Sequence, residues 1–158
     1  MEYRISKKAA FTVVGFSKRF KYGSAKAEIP LFWKQYFVEG RADAVCGRYG
    51  ICIDDDPGTG DFEYLIADNY DPCKELPEGF TFKTLPQQTW AIFPCVGPTP
   101  MALQRLTTEV FSKWLPGNEK YLPAADCSVE FYADPADYRF GTADEQYYCE
   151  LWVPVKEK

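Results

Sequence analysis

The chain has 158 residues, enough for one domain with a substantial core, and its 46% hydrophobic and 26% charged residues are ordinary for a globular protein. With 18 basic and 23 acidic residues the net charge is −5, which argues against direct nucleic-acid binding, because that affinity comes from Lys and Arg neutralising phosphates. No histidine is present, which excludes Ser–His and Cys–His nucleophiles, an imidazole acid–base and a His-ligated zinc.

The first apolar run, Ala10 to Phe16, is rich in β-branched and aromatic residues and predicts a strand. A break is expected at Tyr22, Gly23 and Ser24. A helix then follows from Glu28 to Glu39, with Pro30 in its first turn, Leu31, Phe32, Gln35 and Tyr36 as its stripe, and Gly40 ending it. Tyr49–Asp54 and Phe62–Ala67 predict a hairpin across the loop DDPGTGD, and residues 80–84 an edge strand. Thr89–Val96 is the next expected strand. Met101–Leu115 is the clearest helix, with Leu103, Leu106, Val110, Phe111 and Trp114 on one face, Thr99 as N-cap and Pro116–Gly117 as its stop. Ser128–Tyr132 and Tyr147–Val153 complete the chain as two strands.

The order strand, helix, strand, strand thus occurs twice. The expected fold is α+β: duplicated β-α-β-β units, at about 1–75 and 80–158, with two main helices on an antiparallel sheet. Neither half covers its own apolar faces alone, so the two are expected to form one domain with a ligand groove between them. The aromatic content of 17% exceeds ordinary core needs and suits a concave site for a flat apolar ligand.

Six cysteines occur, at 46, 52, 73, 95, 127 and 149, and none forms a C-x-x-C pair, so a zinc ribbon or thioredoxin motif is not expected. Cys52, Cys95 and Cys149 lie in apolar runs, where a thiol acts as a small hydrophobe. The N-terminus MEYRISKK has no signal-peptide apolar region and no stretch is long enough to span a bilayer, so a cytoplasmic location and no membrane partner are expected. Asp54, Asp55, Asp56 and Asp61 do not match the calcium-loop spacing, and the cluster Lys18, Arg19 and Lys21 fits a solvated strand end better than a phosphate site. No metal and no cofactor is expected.

Three stretches carry a family resemblance: Trp90–Gly97 (WAIFPCVG) with the helix closing on FSKWL and Pro116; Val129–Tyr132 (VEFY) followed by Asp134 and Pro135; and Cys149–Val155 (CELWVPV). In order and spacing they resemble the GyrI-like small-molecule-binding domains, the effector-binding domains of AraC-family and multidrug-sensing regulators. The resemblance implies binding of a small effector. Regulators of this family place a DNA-binding helix-turn-helix before that domain. Here the chain opens at the first strand, so effector binding without direct DNA reading is the expectation.

Alternation places Tyr148, Glu150 and Trp152 on one face of the last strand and Tyr147, Cys149, Leu151 and Val153 on a core face. Glu130 and Tyr132 share a face of the preceding strand, so if the two strands pair, Glu130 and Glu150 could line one cavity. Trp90, Tyr64, Trp33 and Phe32 are candidate further walls, each with ordinary core packing as its alternative. A carboxylate between aromatic rings suits a hydrophobic cation: charge compensates charge, and ring faces attract a cation by about 0.5–2 kcal/mol each. An isolated buried carboxylate would destabilise the empty protein. Glu130 or Glu150 could instead be an exposed strand residue, or pair with Arg48, Arg139 or a lysine. The resemblance leaves two further readings: a hydrolase using Glu150, alone or with Glu130 and a Tyr, and a protein-interaction module like the gyrase inhibitors, its partner unidentified.

Overall fold

The computed structural model describes residues 1–55 and 57–158. The chain divides into two units, one of residues 9–87 and one of residues 1–8 with 88–158. Both are α+β, with antiparallel strand pairing and one main helix each, as the duplicated pattern predicts.

In the unit of residues 9–87 the strands are β2 (Phe11–Lys21), β3 (Tyr49–Ile53), β4 (Asp61–Asn69) and β5 (Thr81–Leu85). They pair in the order β3-β4-β2-β5. Helix α1 spans Tyr22–Val38, so it begins at the expected break and holds Pro30 in its interior rather than its first turn. The segment SAKAE contains strong helix formers, and burial of Ala25 beside Phe32 and Tyr36 secures the early turns despite the hydrogen bond that Pro30 cannot donate. The stripe differs as well: Phe32 and Tyr36 are buried, whereas Leu31 and Gln35 face solvent. Phe32 and Tyr36 pack with Phe20, Phe62, Tyr64 and Ile66 from the sheet.

The other unit contains β1 (Arg4–Lys8), β6 (Gln88–Val96), β7 (Tyr121–Pro123), β8 (Cys127–Tyr132) and β9 (Tyr148–Glu157). Its strands pair in the order β1-β6-β9-β8, with β7 also on β9. Neither β1 nor β7 is expected from the sequence, and β1 joins the second repeat, not the first, because its backbone pairs with β6.

Helix α2 (Met101–Glu109) runs on through a π-helical turn, Val110–Trp114, into a last turn, Leu115–Gly117. The Leu115 N–H reaches back five residues to the Val110 carbonyl. A wider turn just before Pro116 accommodates a residue that has no N–H to offer. It shifts the stripe: Leu103 and Val110 are buried and Leu106 and Trp114 half-buried, while Phe111 turns outward. Thr99 does not cap this helix. Pro100 holds the N-cap position, and the Thr99 hydroxyl lies 3.6 Å from Cys149 Sγ. Under α2, β6 and β9 present Ala91, Phe93, Cys95, Cys149, Leu151, Val153 and Val155 as one apolar face, the core face that alternation predicts for β9.

Candidate functional site

The opposite face of β6 and β9 carries the polar group. In the β6–β9 register Trp90 opposes Pro154, Ile92 opposes Trp152 and Pro94 opposes Glu150. Trp90, Glu150 and Trp152 are buried and Tyr148 half-buried, so the three β9 residues read from alternation do share a face, together with Trp90. The Trp90 and Trp152 rings meet edge to face with centroids 6.0 Å apart. The Trp90 indole N–H is buried without a hydrogen-bond partner among the described residues.

Glu150 is not isolated. Its Oε1 accepts from Trp152 Nε1 at 2.9 Å, and its Oε2 accepts from Tyr148 Oη at 2.6 Å and from Arg4 Nη2 at 3.0 Å. Burial pushes this carboxyl up, but the bonds from Tyr148, Trp152 and Arg4 outweigh it and hold Glu150 below the usual carboxylate range. Burial and the neighbouring carboxylate raise the Tyr148 phenol, so it stays a donor. The ionic partner is Arg4, not Arg48, Arg139 or a lysine. The geometry presents a buried, ionised carboxylate flanked by indole and phenol rings.

Glu130 does not join this group. The β8–β9 register sets Glu130 opposite Leu151 and Phe131 opposite Glu150, so Glu130 and Tyr132 lie on the α2 face of the sheet. There Tyr132 Oη donates to Glu130 Oε1 at 3.1 Å, and Tyr132 packs against the α2-side core. Alternation places residues within one strand, whereas the register between strands decides which faces coincide. Two carboxylates on opposite faces of a sheet cannot serve one cavity as an acid–base pair.

Trp33 and Tyr64 belong to the unit of residues 9–87. Trp33 Nε1 donates to Tyr64 Oη at 2.8 Å, Tyr64 is buried in that core, and Phe32 packs against both Phe20 and Tyr64. The acidic loop is ion-paired: Arg19 meets Asp61 at 2.7 Å and Asp55 at 3.4 Å, while Asp54 accepts from Tyr22 at 2.6 Å; Asp56 lies outside the described residues. Lys18 covers the Phe20 ring, its Nζ 5.4 Å from the centroid.

Sequence reasoning missed Arg4 and Lys8. Lys8 Nζ sits 4.7 Å from the centroid of a Trp152 ring. RISKK has a single β-branched residue, Ile5, and gives no strand signal of its own. The alternation of Arg4, Ser6 and Lys8 was the one trace that could have placed both cations on one face.

A family model described as the Cass2 integron-associated effector binding protein matches residues 4–155. The chain is similar to the transcriptional regulator BrlR of Pseudomonas aeruginosa, 28% identical over 162 residues that cover 98% of this chain and 56% of BrlR. It therefore spans little more than half of that regulator's length. Among solved structures it is similar to SAV2435 bound to tetraphenylphosphonium, with TM-score 0.85 and 25% identity, covering 99% of this chain and 94% of that one. The integron cassette protein VCH_CASS2 of Vibrio cholerae shares the fold, with TM-score 0.70 and 16% identity over 98% of this chain and 95% of that one. Among the described residues no helix is long and apolar enough to cross a membrane.

Proposed function

The chain belongs to the Cass2 family of integron-associated effector-binding proteins, and on that premise we propose that it binds a hydrophobic organic cation beside Glu150. The observation that carries this reading is the buried carboxylate, held below the usual carboxylate range and bonded by Tyr148 and Trp152, with Trp90 against the Trp152 ring. Removing a carboxylate from water is unfavourable unless charge or hydrogen bonds compensate it, and a ligand cation supplies charge while ring faces stabilise it further. Tetraphenylphosphonium, the molecule bound to the similar SAV2435, is such a cation. Glu130, Tyr132, Trp33 and Tyr64 are assigned no place beside Glu150. The thiols of Cys46, Cys73, Cys95, Cys127 and Cys149, none in a disulfide, suit a reducing cytoplasm.

The test uses two ions of equal size and opposite sign. Tetraphenylphosphonium should quench or shift the tryptophan fluorescence saturably, and tetraphenylborate should not. An equal or stronger response to the anion removes the electrostatic basis of the reading.

A further inference from the structure

The first strand carries two cations into the site just described. Arg4 Nη2 bonds Glu150 Oε2 at 3.0 Å, and Lys8 Nζ lies 4.7 Å from the Trp152 ring centroid. The two residues stand four apart on β1 and so point to the same face. The carboxylate and the indole face are the two features that a hydrophobic cation would use. Each is engaged by the protein's own positive charge.

These engagements are reversible in character. The Arg4 side chain is 55% exposed although that of Glu150 is 9% exposed, so Arg4 can exchange its bond for water when the carboxylate cannot. Within its unit β1 pairs with β6, and this pairing ends at Ile92, two residues before Pro94. The remaining bonds on Glu150, from Tyr148 and Trp152, come from β9 itself and do not depend on β1.

We infer that Arg4 and Lys8 are specificity-determining residues: tethered competitors that occupy the cation site and must be displaced by any ligand that enters it. The inference rests on the cation-binding reading. A tethered group competes at a high effective concentration, so a free cation that offers only charge cannot win. A hydrophobic cation adds the burial of its own apolar surface, which neither side chain can match. The pair would thus exclude small hydrophilic cations and admit large apolar ones.

The experiment is titration of wild type, Arg4→Ala, Arg4→Gln and Lys8→Ala with tetraphenylphosphonium and with guanidinium, followed by calorimetry and fluorescence. Both Arg4 variants should bind tetraphenylphosphonium about 2- to 5-fold more tightly than wild type, the scale of a part-exposed ion pair. Lys8→Ala should gain less. Guanidinium should bind Arg4→Ala measurably and wild type not at all. Arg4→Gln keeps a polar side chain on β1, so agreement between the two Arg4 variants excludes a folding artefact. If wild type binds tetraphenylphosphonium and both Arg4 variants bind it equally or more weakly, the competitor assignment is wrong while the site stands. If no variant and no wild type binds it, the cation site and this inference fall together.

Discussion

Replacing Glu150 by Gln keeps the side-chain shape and removes the charge, and its cost can be worked from the contacts. Three donors converge on the carboxylate, from Trp152, Tyr148 and Arg4. The amide oxygen of Gln can still accept, but its NH2 group must face at least one of the donors. Losing one hydrogen bond to a charged group costs about 1.5–3 kcal/mol, and the half-exposed ion pair with Arg4 adds about 0–1 kcal/mol. Relief of carboxylate desolvation offsets part of this. A net loss of about 1–3 kcal/mol follows, or roughly 3–10 °C in Tm for a chain of this size. This differs from an isolated carboxylate, whose removal would be neutral or stabilising.

The sign of the pH dependence is set by the same contacts. Glu150 is held below the ordinary carboxylate range when folded, so its contribution is complete above the ordinary Glu value. That contribution fades as the pH falls below the ordinary value and is gone beneath the depressed folded-state value. Urea unfolding of wild type and Glu150→Gln should therefore show a gap at neutral pH that closes on acidification. An amide variant as stable as wild type at pH 7, or a gap constant with pH, would refute the hydrogen-bonding account. The same variant should lose tetraphenylphosphonium affinity by about 2–5 kcal/mol, since the ligand charge would be buried unpaired. Unchanged affinity in calorimetry would remove Glu150 from the site.

Gly97 joins β6 to the turn before α2 with φ of 146°, and a Cβ there would lie 2.9 Å from that of Ala102. Gly97→Ala should cost about 1–3 kcal/mol in denaturant unfolding, and a variant within error of wild type would show that this turn relaxes freely. Burial pushes the Cys149 thiol up to about 12, whereas Cys46 and Cys73 are exposed. Iodoacetamide at pH 8 should alkylate Cys46 and Cys73 well before Cys149 by mass spectrometry, because the thiolate is the reacting form; early labelling of Cys149 would contradict its burial under α2.

Much of the candidate site is local and therefore legible in sequence. Tyr148, Glu150 and Trp152 are spaced by two along one strand, and the apolar partners Cys149, Leu151 and Val153 mark which face the helix covers. The repeated order of elements and the span of α2 follow from hydrophobic periods of the same local kind. Periodicity fails where another constraint overrides it: Phe111 fits a helical stripe yet faces solvent where α2 widens into a π-turn before Pro116, and on α1 the sheet covers Phe32 and Tyr36 and leaves Leu31 outside. What the sequence by itself determined is the family pattern, the two-fold β-α-β-β plan and the placing of Glu150 between aromatic rings. Tertiary structure alone decided that Arg4 and Lys8 reach that carboxylate and ring, and that Glu130 lies on the other face. Both outcomes depend on which residues of distant strands lie opposite one another, and a one-residue change of register would reverse them without altering a single local preference.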